Sequence, residues 1–165
     1  MKRVTIYTDG ACQGNPGPGG YGVVLIYGSA RRELSAGYRC TTNNRMELTA
    51  LTKALQALKA PCHVEIVSDS RYLLDALTEG WITKWRRNGW RTVTKQPVPN
   101  RDLWEELDRL LARHKPCYRW VKGHAATTEN NRCDALAVAA SRASGLLIDE
   151  MYEAYEAQAE SQSPD

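Results

Sequence analysis

Asn43-Asn44-Arg45-Met46-Glu47-Leu48-Thr49-Ala50-Leu51-Thr52-Lys53-Ala54-Leu55-Gln56-Ala57-Leu58 is the stretch that decides the architecture. Leu48, Leu51, Leu55 and Leu58 recur every three or four residues, with Ala50, Ala54 and Ala57 between them. That is the period of an amphipathic helix, and it predicts one over residues 44–59. Asn43 suits the N-cap, and Pro61 stands beyond the end. On both sides the period shortens to that of strands. Before the helix, Val4, Ile6 and Thr8 alternate with Thr5 and Tyr7 and predict a half-buried strand running out at Asp9. Tyr21 to Tyr27 predicts a second strand, and a weaker third lies around Arg32 to Cys40. After the helix, Val64, Ile66 and Val67 predict a fourth strand, ending in Ser68-Asp69-Ser70. A helix that carries the chain from Cys40 across to Val64 demands at least one parallel pairing, so the sheet is mixed.

The remaining chain extends this pattern. Tyr72 to Leu77 begins a short helix, and Leu103, Leu107, Leu110 and Leu111 mark another after Asn100. Cys117 to Val121 predicts a fifth strand, and the alanine-rich run from Arg132 to Arg142 a last helix. Gly14-Asn15-Pro16-Gly17-Pro18-Gly19-Gly20 reads as neither helix nor strand, since glycine and proline break both. The expected fold is α/β: one domain over residues 1–145, a five-stranded mixed sheet flanked by helices. Residues 146–165 are expected to form a flexible acidic tail or a frayed helix.

Composition narrows the function. A chain of 165 residues fits one domain, and 42% hydrophobic with 25% charged residues is ordinary for a globular protein. There is no run of 18 apolar residues to span a bilayer, and Met1 to Ile6 lacks the apolar segment of a secretion signal, so a cytoplasmic location is expected. Five scattered cysteines, Cys12, Cys40, Cys62, Cys117 and Cys133, argue against a disulfide framework. Their only close partner is Cys62-His63, which argues against structural zinc. The net charge of +3 is unevenly spread: residues 149–165 hold six acids and no base, leaving +9 on the rest. A basic body points to a polyanionic partner.

Four acids sit where a site would form. Asp9 and Asp69 stand where strands run out, the place where ligands gather in open α/β sheets. Glu47 lies in the first turns of the long helix, and Asp134 near the start of the last, where a carboxylate complements the helix dipole. Singly, each also reads as a turn or capping residue. Gathered together, carboxylates about 4 Å apart would repel by about 4 kcal/mol per pair at an effective dielectric of 20 and would need cations. Hard oxygen donors favour magnesium or manganese over zinc.

Tyr7-Thr8-Asp9-Gly10-Ala11-Cys12 followed by Gly14 to Gly22, then Thr42 to Leu48, Ser68-Asp69-Ser70, and Val121-Lys122-Gly123-His124-Ala125 with Asn130 and Arg132-Cys133-Asp134, resemble the motifs of bacterial type 1 ribonuclease H in order and spacing. The resemblance runs from about Lys2 to about Ala143. It implies a sheet of three antiparallel strands followed by parallel ones. It implies hydrolysis of the RNA strand of an RNA–DNA hybrid, leaving 5′-phosphate and 3′-hydroxyl ends, by a monomer. Asp9, Glu47, Asp69 and Asp134 would hold two Mg2+ ions, which Mn2+ can replace, and His124 would move protons or help product leave.

The same resemblance assigns the substrate contacts. Asn15, Asn43 and Asn44 match positions that touch the hybrid, and Thr42 matches part of a pocket for a DNA phosphate. The backbone from Cys12 to Gly14 can approach the hybrid closely because Gly14 has no side chain, and Arg71 is expected among the substrate contacts. From Trp81 to Arg101 there are six basic residues, no acid and three tryptophans. Trp81, Lys84, Trp85, Arg86, Arg87 and Trp90 would form a basic protrusion gripping the DNA strand, with the tryptophans in part packing that subdomain. The chain departs from the family pattern at several points. Ala126 and Thr127 replace a glycine and a second histidine, Cys40 an arginine beside the phosphate pocket, Asn131 a glutamate, and Arg71 a polar amide near the RNA groove. Another nuclease of the same fold, and a silent hybrid-binding module, are the competing readings. The methionine start and the basic protrusion favour a stand-alone enzyme.

Overall fold

The computed structural model describes residues 1–123 and 127–162. Strands β1 (Lys2–Cys12), β2 (Gly17–Tyr27) and β3 (Ala30–Thr41) are followed by helix α1 (Asn43–Gln56), strand β4 (Cys62–Ser68), and helices α2 (Arg71–Thr78), α3 (Trp81–Arg87) and α4 (Arg101–Leu111). Strand β5 (Lys115–Trp120) and helices α5 (Thr128–Ser141) and α6 (Glu150–Gln162) complete the chain. The five strands form one sheet in the order β3-β2-β1-β4-β5. β1 pairs antiparallel with β2 and β2 with β3, whereas β1–β4 and β4–β5 are parallel, as the crossover through α1 requires.

The core follows the predicted periods. Leu48, Leu51 and Leu55 of α1 are buried against Val4, Ile6, Val64 and Ile66 of the central strands. Each such leucine contributes about 1.5–3 kcal/mol by leaving water. The second sheet face is covered by α5. Side-chain alternation along β1 therefore sends Gly10 toward α1 and its neighbour Asp9, paired with Gly22, toward α5. Among the described residues no helix is long and apolar enough to cross a membrane.

Several boundaries differ from the sequence reading, each for a local reason. β2 begins at Gly17, so Gly17 to Gly20 are strand and not loop. Glycine is used there for close approach: a Cβ on Gly20 would lie 2.5 Å from the Ala137 carbonyl oxygen, and α5 rests directly on the strand. The N-cap of α1 is Thr42, not Asn43, because its hydroxyl accepts from the Arg45 backbone N–H at 3.1 Å. α5 starts at Thr128, capped by Thr127, so Asp134 lies in its second turn, beyond the reach of the helix-end dipole. The polar run before Arg132 carried no apolar period to mark it.

The C-terminal acidic segment is the helix α6, the helical alternative of the expectation, and the residues leading into it are anchored on the sheet. Leu147 exchanges backbone hydrogen bonds with Gly37 and Arg39 at the β3 edge. Asp149 is buried, accepting from Arg45 Nε and Nη2 at 2.8 and 3.0 Å and from the Thr41 hydroxyl at 2.7 Å. Arg45 also forks onto Asp102 of α4. Counting acids could not reveal this, since the partner of Asp149 lies 104 residues earlier.

Candidate active site

The site is assembled from strand ends. In the parallel β1–β4 ladder Tyr7 is opposite Val67, so Asp9 and Asp69 stand two residues further on in the same register. Glu47 enters from α1 just past its first turn, and that helix can lie against β1 only because residue 10 is glycine. Asp9, Glu47 and Asp69 each offer a carboxylate oxygen within 4.8 Å of the others. Asp134, from α5, lines the same cleft of about 430 Å3 without joining that tight set.

Burial makes the cluster electrostatically strained. Asp9 and Glu47 are each only 5% exposed. Desolvation pushes the Asp9 carboxyl up to about 8, with repulsion from Asp69 and Asp134 adding to it and the Gly10 N–H opposing it. Desolvation, then Asp9 and Asp69, push Glu47 well above the usual carboxylate range. Glu47 Oε2 is buried with no hydrogen-bond partner. An orphaned oxygen among converging hard donors fits a divalent cation that takes carboxylate ligands.

One rim of the cleft is built from amides. Asn43 and Asn44 line it, and the Asn15 side chain accepts from the Asn43 backbone N–H at 3.1 Å, tying the glycine loop to the start of α1. Gly14 in that loop has φ +72°, a conformation that favours glycine. Thr42 is occupied as the helix cap. The Cys12 thiol points at the Gly17 and Thr41 carbonyls. Arg71 lines the same cleft.

Trp81, Lys84, Trp85, Arg86, Arg87 and Trp90 do not line the cleft. They form α3 and the turn after it. Trp85 is the hub: its ring lies 6.2 Å from Trp81, 6.4 Å from Trp90 and 5.5 Å from the buried Trp104. Arg86 is paired with Asp108, whereas Lys84 and Arg87 are exposed. His124 lies outside the described residues.

Gly10, Ser70, Tyr72, Asn130 and Asn131 also line the cleft, and the sequence reading gave none of them a role. Asn130 is buried with an unpartnered Oδ1. It precedes Asp134 by four residues, and that spacing on one helix face was the available signal. Tyr72 hides its part in a helix start; its hydroxyl accepts from Trp104 and Asn100.

A mixed sheet in this order, with carboxylates gathered over the ends of two parallel strands and an amide and a cationic rim around them, defines a nuclease-type α/β domain. The RNase H family model matches residues 1–142, and this chain belongs to the RNase H family. A protein named Ribonuclease H from Moorella thermoacetica is 60% identical over 140 residues, covering 85% of this chain and 92% of that one. Another of that name, from Shewanella amazonensis, is 54% identical over 153 residues, covering 93% and 97%. The solved structure of LC9-RNase H1, a type 1 RNase H with the type 2 active-site motif, matches with a TM-score of 0.77 at 33% identity over 95% of this chain and 82% of that one. That of LC11-RNase H1 in complex with RNA/DNA hybrid matches at 0.63 and 26%, over 83% and 95%.

Proposed function

We propose that this protein is a ribonuclease H that hydrolyses the RNA strand of RNA–DNA hybrids as an endonuclease. The observation that carries the reading is the buried convergence of Asp9, Glu47 and Asp69 within 4.8 Å, in a chain of this family. Asp9, Glu47, Asp69 and Asp134 are the groups we assign to hold magnesium, with manganese able to substitute. Cations held there would supply the positive charge that lowers the pKa of bound water and offsets charge on the phosphate.

The chain's own residues prepare that chemistry. Asp9 and Asp69, fixed by the β1–β4 register, present oxygens from a rigid sheet, which limits reorganisation during reaction. Glu47 and Asp134 close the cleft from the helices on the two sheet faces. Asn15, Asn43 and Asn44, with the close backbone at Cys12 and Gly14, suit recognition of the 2′-hydroxyl, which donates and accepts hydrogen bonds. Thr42 is assigned to a pocket for a DNA phosphate. Trp81, Lys84, Trp85, Arg86, Arg87 and Trp90 form a separate handle for the DNA strand, and His124 is assigned a supporting proton-transfer role.

The test uses labelled RNA–DNA hybrid, duplex RNA and duplex DNA with magnesium, and the Asp9→Asn variant. Only the RNA of the hybrid is cut, chelator stops the reaction, and the variant is inactive. Cutting of all three substrates, or activity surviving D9N, overturns the reading.

A further inference from the structure

The cleft is lined by a cation, Arg71, whose position is set by an aromatic ring. We propose that Arg71, held face-on by Trp120, is a phosphate clamp that seats the hybrid's backbone beside Asp69; the assignment rests on the hybrid-cleavage reading above.

Three contacts lead to it. Arg71 opens α2, two residues after Asp69, and lines the acid cleft although its side chain is 64% exposed. Its guanidinium carbon lies 4.0 Å from the centre of the Trp120 ring, well inside the range of a cation–π contact. Trp120, the last residue of β5, donates from its indole N–H to the Asp69 backbone carbonyl at 3.2 Å. One ring therefore ties the strand end that carries an acid to the cation beside it.

Stacking uses only the flat face of a guanidinium. The five N–H donors point outward in its plane and remain available to a phosphodiester. The carboxylate nearest along the helix, Asp75, is 4.0 Å away and 38% exposed, a solvent-screened pair. Arg86, by contrast, forks onto Asp108 at 3.0 and 2.5 Å, the geometry of an arginine spent on structure. A cleft lined by four acids repels the polyanion it must admit, and a fixed cation on its rim offsets that repulsion where the strand enters.

The test is steady-state kinetics on the hybrid with magnesium over a series of salt concentrations, for wild type, R71Q, W120F and W120L. R71Q should raise KM about five- to tenfold, lower kcat much less, and flatten the slope of log KM against log salt by about 0.9, the loss of one phosphate contact. W120F and W120L both lose the indole donor to Asp69, so the difference between them reads the ring face alone. W120F should stay close to wild type in KM, and W120L should move toward R71Q. A wild-type salt slope in R71Q, or equal KM values for W120F and W120L, overturns the clamp. Should W120L fail to fold, the R71Q slope alone decides. Failure of the wild type to cut the hybrid sinks the functional reading instead, a separate outcome in the same assay.

Discussion

Gly10 and Glu47 meet backbone to backbone: a Cβ on Gly10 would lie 2.6 Å from the Glu47 nitrogen and 2.8 Å from the Met46 carbonyl carbon. The first turn of α1 can approach β1 only over a residue without a side chain, and that approach brings the Glu47 carboxylate to Asp9. Gly10→Ala should push α1 outward and cost about 1–3 kcal/mol of stability by overpacking. A displacement of about 1 Å at the acids should lower kcat by about 100-fold. Thermal melts and single-substrate kinetics measure both; an alanine variant with wild-type kcat would show that α1 yields without moving the cluster.

The raised carboxyls make a prediction about cations and pH. Asp9 has a folded value of about 8 against 3.8 for the free group. Its stabilising contribution is therefore full below 3.8 and is lost as pH rises, the loss being complete above about 8. Melting temperature in chelator should fall relative to that in magnesium as pH goes from 5 to 8. D9N should melt higher than wild type in chelator and respond less to magnesium. A magnesium effect that is flat with pH would contradict the assignment.

Asp149 predicts the importance of the C-terminal segment. Its carboxylate is buried against Arg45, itself 5% exposed. Asp149→Ala leaves that guanidinium with Asp102 as its remaining carboxylate partner and should cost about 3–5 kcal/mol, a drop of roughly 6–15 °C in Tm for a chain of this size. A change under about 2 °C would mean that Asp102 suffices.

Acid stability should depend on Glu33. This β3 residue accepts from Arg132 of α5 and contacts Arg31, which hold its carboxyl at about 2 against an ordinary 4.5. A depressed value contributes stability above 4.5 that is lost as pH falls toward about 2. Glu33→Gln should narrow the gap in Tm between pH 6 and pH 3 relative to wild type. An unchanged gap would rule this staple out.

The handle is best tested through its exposed cations. Trp85 packs on buried Trp104, so W85A removes core contacts together with any substrate contact. K84A/R87A should instead raise KM for the hybrid and flatten its salt dependence, with little change in Tm. Unaltered KM would detach α3 from substrate binding.

Much of the fold was legible locally. The 3.6-residue period of Leu48, Leu51 and Leu55 and the alternation around Ile6 and Ile66 are short-range signals, and all of these side chains are buried as expected. Boundaries failed where the deciding contact was distant. Gly20 is a strand residue lying under α5, where a Cβ would come within 2.5 Å of the Ala137 carbonyl oxygen, and Asp149 is anchored by Arg45, 104 residues earlier. Asn130 and Tyr72 passed unassigned because a capping run and a helix start explain them equally well in one dimension.

By itself the order of residues determined the alternation of elements, the parallel crossover and the family motifs, since hydrophobic period and turn chemistry act between neighbours. Tertiary structure alone decided that Asp9, Glu47 and Asp69 converge within 4.8 Å while Asp134 lines the same cleft outside that tight set, and that Arg71 lies on Trp120. Those relations depend on strand register and on how closely two helices can approach the sheet, and both are set by packing between segments far apart in the chain.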